Sequence, residues 1–307
     1  MTTVTHNASV HSLVANPPRV PLEIIENMID LLADDDIDAI KACSQTCRAL
    51  LPRCRKHIFF FIDLDPGLHN SHTPQNHEDY DGDHTRTQQP PSPTRRTTLF
   101  FDLLDQTPEI AFYVQDFDLY IYVEDSNCPK TIRALNMLSN LTGFSLRHDN
   151  SDQQDLLLNW DCLSPHFISC IHRILSSPKL THLEFGSIIN FPLSTFSLCG
   201  GIEELALWSV ELSPSGSIPT AMTPIRLLGL SGDESIMNLV GETLIIKSEH
   251  HLILDLTRLD RFEFIASLHE IGGNICPREI LLSSEALAEV HLHGRFSSPF
   301  MKTYAVE

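Results

Sequence analysis

The sequence predicts a chain of α+β or α/β class in two parts. A small all-helical N-terminal domain spans 19–62, and an irregular solenoid of strand–turn–helix units spans 99–307. Three observations predict it. Apolar residues recur at helical spacing in short runs between Leu22 and Phe61. A polar stretch over 63–98, rich in Pro, Gly and His, shows no apolar period and reads as a linker or insertion. Beyond it, an apolar triplet of fixed spacing recurs seven times between Val114 and Leu292.

Residues 1–18 hold no Lys, Arg, Asp or Glu and are expected to be a disordered arm. They lack a basic start followed by an apolar stretch, so they are not read as a secretory signal. Pro21 stands where a first helical turn tolerates a missing donor, and Glu23 suits the positive end of the helix. Leu22, Ile25, Ile29 and Leu32 follow at helical spacing, with Ile24, Met28 and Leu31 widening the stripe. Asp34, Asp35 and Asp36 end that pattern, and an Asp there caps a second helix through Ala39, Ile40 and Cys43. Thr46 is expected to cap a third helix, with Cys47, Leu50, Leu51, Cys54, Ile58 and Phe61 on its apolar face. So small a block cannot bury all of this aliphatic surface by itself, so it is expected to lean on a neighbour or a partner.

PLEIIENMIDLL, an acidic spacer and AIKACSQTCRALLPRCRKHIF together resemble an F-box of the form abundant in mushroom-forming fungi. Val20-Pro21 stands for the family's leading Leu-Pro, Glu23 and Ile24-Ile25 for its first helix, and Cys47-Arg48 for its later Cys-basic pair. Leu50 or Leu51 occupies the region where many members have Trp. The resemblance implies docking on the small adaptor subunit of a cullin-based ubiquitin ligase, through Pro21, Leu22, Ile25 and the helices around Ile40 and Leu50.

The C-terminal triplets are Val114-Phe117-Leu119, Leu141-Phe144-Leu146, Leu180-Leu183-Phe185, Ile202-Leu205-Leu207, Ile225-Leu228-Leu230, Leu259-Phe262-Phe264 and Leu287-Val290-Leu292. Their starts lie 27, 39, 22, 23, 34 and 28 residues apart. Leucine-rich repeats have periods of roughly 20–29 residues with one short strand each. Helical patterns fall between units: Thr131 to Leu138, and Phe167 to Leu175 after Ser164-Pro165 in cap and first-turn positions. The region is therefore read as leucine-rich-repeat-like, with another α/β arrangement as the alternative, since no unit carries the usual Asn after its strand.

Forty acids against twenty-one Lys and Arg leave a formal net charge of −19. Residues 19–62 are nearly neutral, whereas 94–307 carry −13. Such a balance argues against nucleic-acid and anionic-membrane partners, which need a positive footprint. Eight cysteines are too sparse for a disulfide scaffold, so the expected location is intracellular, in cytoplasm, nucleus or both. Cys43, Cys47, Cys54 and His57 have permissive zinc spacing but fall on apolar helix faces, where cysteine packs as a small hydrophobe. The histidines His69, His72, His77 and His84 lie in the polar linker, without an ordered scaffold. No phosphate-cradling glycine loop or nucleophile elbow is present in the sequence. No catalytic residue, metal or cofactor is expected.

These readings converge on a non-catalytic adaptor: residues 20–62 dock on a ligase, and the C-terminal region holds a protein target. Solvent-facing positions in the strand pattern are Thr142, Ser145, Thr181, Glu184, Glu203, Glu204, Ala206, Arg226 and Glu289, an acidic set suited to a basic protein. The alternative is a structural interaction module that never meets a ligase.

Overall fold

The structure, a computed structural model, describes residues 20–33, 35–64, 95–148, 157–213, 225–232, 256–267 and 286–295. The expected arm over 1–18 and linker residues 65–94 lie outside them. The chain divides into two compact units, 1–58 and 59–307.

The first unit holds α1 (Leu22–Ala33), α2 (Ile37–Thr46) and α3 (Leu51–Ile58). The Asp36 carboxylate caps α2 by accepting from the Ala39 amide at 2.9 Å. Thr46 does not cap a third helix. It ends α2, with its hydroxyl donating to the Cys43 carbonyl, and α3 begins only after a turn over 48–50. The small all-helical domain expected over 19–62 is not seen with those bounds, because Phe61 and Ile62 pair with Asp116 and Phe117 as a strand of the second unit. Among its described residues only Ile29, Ile40, Leu50 and Cys54 form a buried apolar cluster, flanked by the partly buried Ile25, Ala33, Cys43 and Ile58, which is little apolar burial for an independent core.

The second unit is an α/β structure. Among the described residues nine strands make one sheet: β1 (Phe61–Asp63), β2 (Asp116–Ile121), β3 (Gly143–His148), β4 (Leu158–Asn159), β5 (His182–Pro192), β6 (Glu204–Ser213), β7 (Leu227–Gly232), β8 (Arg261–Ser267) and β9 (Glu289–Arg295). Every pairing is parallel, and the strands follow chain order except that the short β4 pairs off the path with β5. Phe61, read as part of a helix, instead opens β1 beside Asp116.

The predicted leucine-rich-repeat-like solenoid is also corrected. A solenoid repeats one unit, and here the connections differ in kind. A 3₁₀ turn and α5 (Pro129–Met137) join β2 to β3. Between β3 and β5 lie β4, another 3₁₀ turn and α6 (Pro165–Leu175). A 3₁₀ turn at Leu193–Leu198 is the only helical element between β5 and β6. The triplets do mark strands: their middle residues pair in one row, Phe117, Phe144, Leu183, Leu205, Leu228, Phe262 and Val290.

Two backbone devices hold this sheet. At seven successive strand starts, one carbonyl accepts two amides of the next strand at 2.7–3.1 Å. The acceptors are Phe60, Gln115, Thr142, Thr181, Glu203, Arg226 and Asp260. At the other end, β5 and β6 turn a corner at Ser187 and Ser209, which take left-handed φ of 58° and 55°. The extra residue shifts the alternation by one, so Ile188 and Val210 rejoin the core side.

Within this unit the described helices lie on one side of the sheet. Phe100 of α4 (Arg95–Gln106) packs on Phe117 with ring centres 5.8 Å apart, and Leu135 of α5 and Ile171 of α6 belong to the same core. Trp160, Phe185, Phe191 and Phe196 form a linked aromatic cluster in that core.

Strict alternation makes neighbouring residues respond differently to truncation. Phe144→Ala, in the core row, is expected to cost about 3–5 kcal/mol. Ser145→Ala, one residue on and facing away, leaves stability unchanged or raises it by up to about 1 kcal/mol. Urea unfolding of the two variants against the parent checks this.

Candidate functional site

Each unit carries one surface that its own packing leaves unexplained. In the helical unit it is α1. Asp30 faces α3, where Arg53 Nε donates to Oδ1 at 2.5 Å and His57 Nε2 lies 2.8 Å from the same oxygen. The Arg53 hydrogen bond, aided by that of His57, outweighs burial and holds the Asp30 carboxyl down at about 2. This clamp turns the polar edge of α1 inward. Ile29 is the only fully buried residue of α1, whereas Leu22, Ile24, Met28, Leu31 and Leu32 face outward, Leu31 being 75% exposed. Val20 and Ile37 extend the exposed apolar surface. Of the residues the F-box resemblance points to, Pro21 and Leu22 are exposed and Ile25 is half-buried. Ile40 and Leu50 are instead core residues of the unit. Ile24, Met28 and Leu31 carry the face in their place, and the sequence showed them only as a widened stripe.

In the sheet unit it is the face turned away from the helices. Parallel sheets usually have both faces covered, and the described helices of this unit, α4, α5 and α6, all contribute to the core on the other face. Its rows follow from register. Asp116, Gly143, His182, Glu204, Leu227, Arg261 and Glu289 form the first. Asp63, Asp118, Ser145, Glu184, Ala206, Gly229, Glu263 and His291 form the second, and all but Asp63 are the single spacers inside the triplets. Tyr120, Arg147, Gly186 and Trp208 begin the third.

Small residues shape the centre. A side chain at Gly229 would meet the Trp208 ring at 2.8 Å, so the indole lies across bare backbone beside Ala206. Arg147 likewise runs across Gly186, whose missing Cβ would lie 3.0 Å from its stem. The Arg147 guanidinium donates to the Tyr120 hydroxyl at 2.8 Å, stands 5.7 Å from that ring's centre, and pairs with Glu184. The Trp208 indole is a further donor to Glu184. Burial nevertheless raises Glu184 above the usual carboxylate range, against the opposing pull of Arg147. Asp118 is pushed up to about 6, by burial first. Arg147 opposes that rise, and Glu184, Asp116 and Asp63 add to it. Among the described residues nothing hydrogen-bonds Ser145 Oγ, although Ser145 is only 2% exposed, or Arg147 Nε.

The target-binding positions read from sequence fall in two places. Glu184 lies in this centre, largely buried. Thr181, Glu203 and Arg226 sit at strand starts, exposed, as carbonyls of the two-amide links. Arg226 bridges Glu203 and Asp260 at 3.5 and 3.1 Å, Glu204 meets His182 at 2.8 Å, and Glu289 meets Arg261 at 2.8 Å. Asp118, Tyr120, Arg147 and Trp208 were not singled out from sequence. Of these only Asp118 is a spacer inside a triplet; Tyr120, Arg147 and Trp208 follow the triplets.

Among the described residues no three His, Cys, Asp or Glu side chains converge as a metal site requires. Cys54 is buried, Cys47 is exposed, and His57 engages Asp30. No helix among them is long and apolar enough to cross a membrane. Compared with known proteins, the chain matches no family model, and no curated protein or solved structure is significantly similar to it.

The raised Asp118 has a stability consequence. Its folded value lies above the unfolded one, so the folded state binds the extra proton between about 4 and 6, and ionisation above that range costs stability. Asp118→Asn is expected to raise the unfolding midpoint at pH 7.5 by roughly 2–4 °C, the effect of about 1 kcal/mol in a domain of this size. The gain shrinks at pH 5, where the native carboxyl is mostly protonated. Thermal melts at both pH values measure it.

Proposed function

We propose that the chain is a non-catalytic substrate-recognition adaptor of a cullin-based ubiquitin ligase. In this reading the helices within 20–58 dock on the ligase's small adaptor subunit, and the sheet holds a protein target for modification by other subunits. The outward apolar face of α1 carries the proposal, because large aliphatic side chains grouped on one short helix suit a partner better than water. The F-box resemblance of the same residues supplies the kind of partner. The adaptor then contributes proximity and orientation, without bond chemistry of its own. A place in cytoplasm or nucleus, and a basic target matched to the acidic sheet unit, go with this reading. The same face also suits a structural interaction module with no ligase, since its chemistry is apolar and unselective.

Capture of the ligase adaptor subunit by the purified chain separates these. Replacing Leu22 and Met28 by Asp is expected to abolish capture and leave the unfolding midpoint of the sheet unit unchanged, since both side chains are exposed. No capture by the parent chain, or undiminished capture by the variant, overturns the ligase reading.

A further inference from the structure

We propose that the polar sheet face binds an arginine-bearing basic segment of a partner protein, its guanidinium replacing Arg147 between Tyr120, Asp118 and Glu184. The inference rests on the reading of the sheet as the target-holding half, and it names the chemistry of the target.

Three observations carry it. First, the occupant is already present in cis. Arg147 shows that the Tyr120 ring and hydroxyl and the Glu184 carboxylate together hold a guanidinium. It is held imperfectly, because its Nε has no hydrogen-bond partner among the described residues. Second, Ser145 Oγ is sealed between Asp118 and Glu184 in register, with no partner among the described residues. A buried hydroxyl in that state is an unused acceptor aimed at whatever occupies the centre. Third, charge is unbalanced. Among the described residues, Asp116, Asp118 and Glu184 share this part of the face with Arg147 and His182. An incoming guanidinium that takes the place of Arg147 is favoured by this field, and the flat Trp208 indole offers it a stacking surface. Lysine satisfies the charge but neither the fork geometry nor the stacking.

The probe is a short alternating Arg–Gly peptide, with Lys–Gly and Glu–Gly peptides of equal length as comparisons, titrated into the full chain. Tryptophan fluorescence is the readout. Trp208 lies on this face and Trp160 is buried in the core, so the signal reports the site. The Arg–Gly peptide is expected to saturate the signal, to bind about tenfold tighter than Lys–Gly, and to outbind Glu–Gly by more. Asp118→Asn and Ser145→Ala are expected to weaken it severalfold, and Arg147→Ala to tighten it, because the resident competitor is gone. Circular dichroism confirms that each variant is folded. Equal binding of Arg–Gly and Lys–Gly, or weaker binding by Arg147→Ala, overturns the proposal. The Leu22/Met28 double variant keeps peptide binding while losing ligase capture, so failure of the adaptor reading and failure of this one are told apart.

Discussion

One backbone device governs the sheet unit: a single carbonyl at each strand start receives two amides from the next strand. Seven such links run from Phe60 to Asp260. Each fixes both the position and the phase of the incoming strand, so no strand slips by one residue and turns its side chains over. Because the phase is inherited from strand to strand, the described apolar side chains of the triplets reach the same side. Every spacer reaches the other. The aromatic core beneath α4, α5 and α6 and the acidic centre around Ser145 are two consequences of one register.

Much of this was legible in the sequence, though under another name. The apolar triplets located the strands correctly because parallel strands bury one full face, and two core residues separated by one spacer are enough to show it. The repeating unit inferred from them failed, because connections are not bound by the sheet's periodicity. The spacing between triplets varies from 22 to 39 residues, and the described residues between β2 and β6 fill it with a helix, a short strand and a helix, or only a 3₁₀ turn. Thr46 misled for a local reason: a threonine hydroxyl serves a helix end by bonding back to a carbonyl as readily as it caps a start. Phe61 continued an apolar helical pattern that a three-residue strand satisfies equally well.

The site residues divide along the same line. Glu184 was found because it is a charged residue inside an apolar triplet. Arg147 and Trp208 were missed because they follow the triplets, where sequence shows no period, and only pairing across β2, β3, β5 and β6 brings them to Tyr120 and Glu184. In the helical unit, the stripe on α1 was visible, but not which side of it would face inward. Asp30 decides that, by pulling α1 toward Arg53 and His57 and leaving its aliphatic side chains outside. The near-neutral helical segment and the acidic sheet unit therefore offer chemically unlike surfaces, one apolar and one anionic, on a single chain.

Native-state hydrogen exchange tests the register device most directly. Thr142, Thr181, Glu203, Arg226 and Asp260 are half-buried or exposed, yet each donates its amide into a strand-start link. The account predicts that these amides exchange as slowly as those of Phe144 and Leu183 in the strand interiors, and in one cooperative step with them. Exchange of the strand-start amides at the rate of exposed loop amides, with the strand interiors still protected, would contradict it.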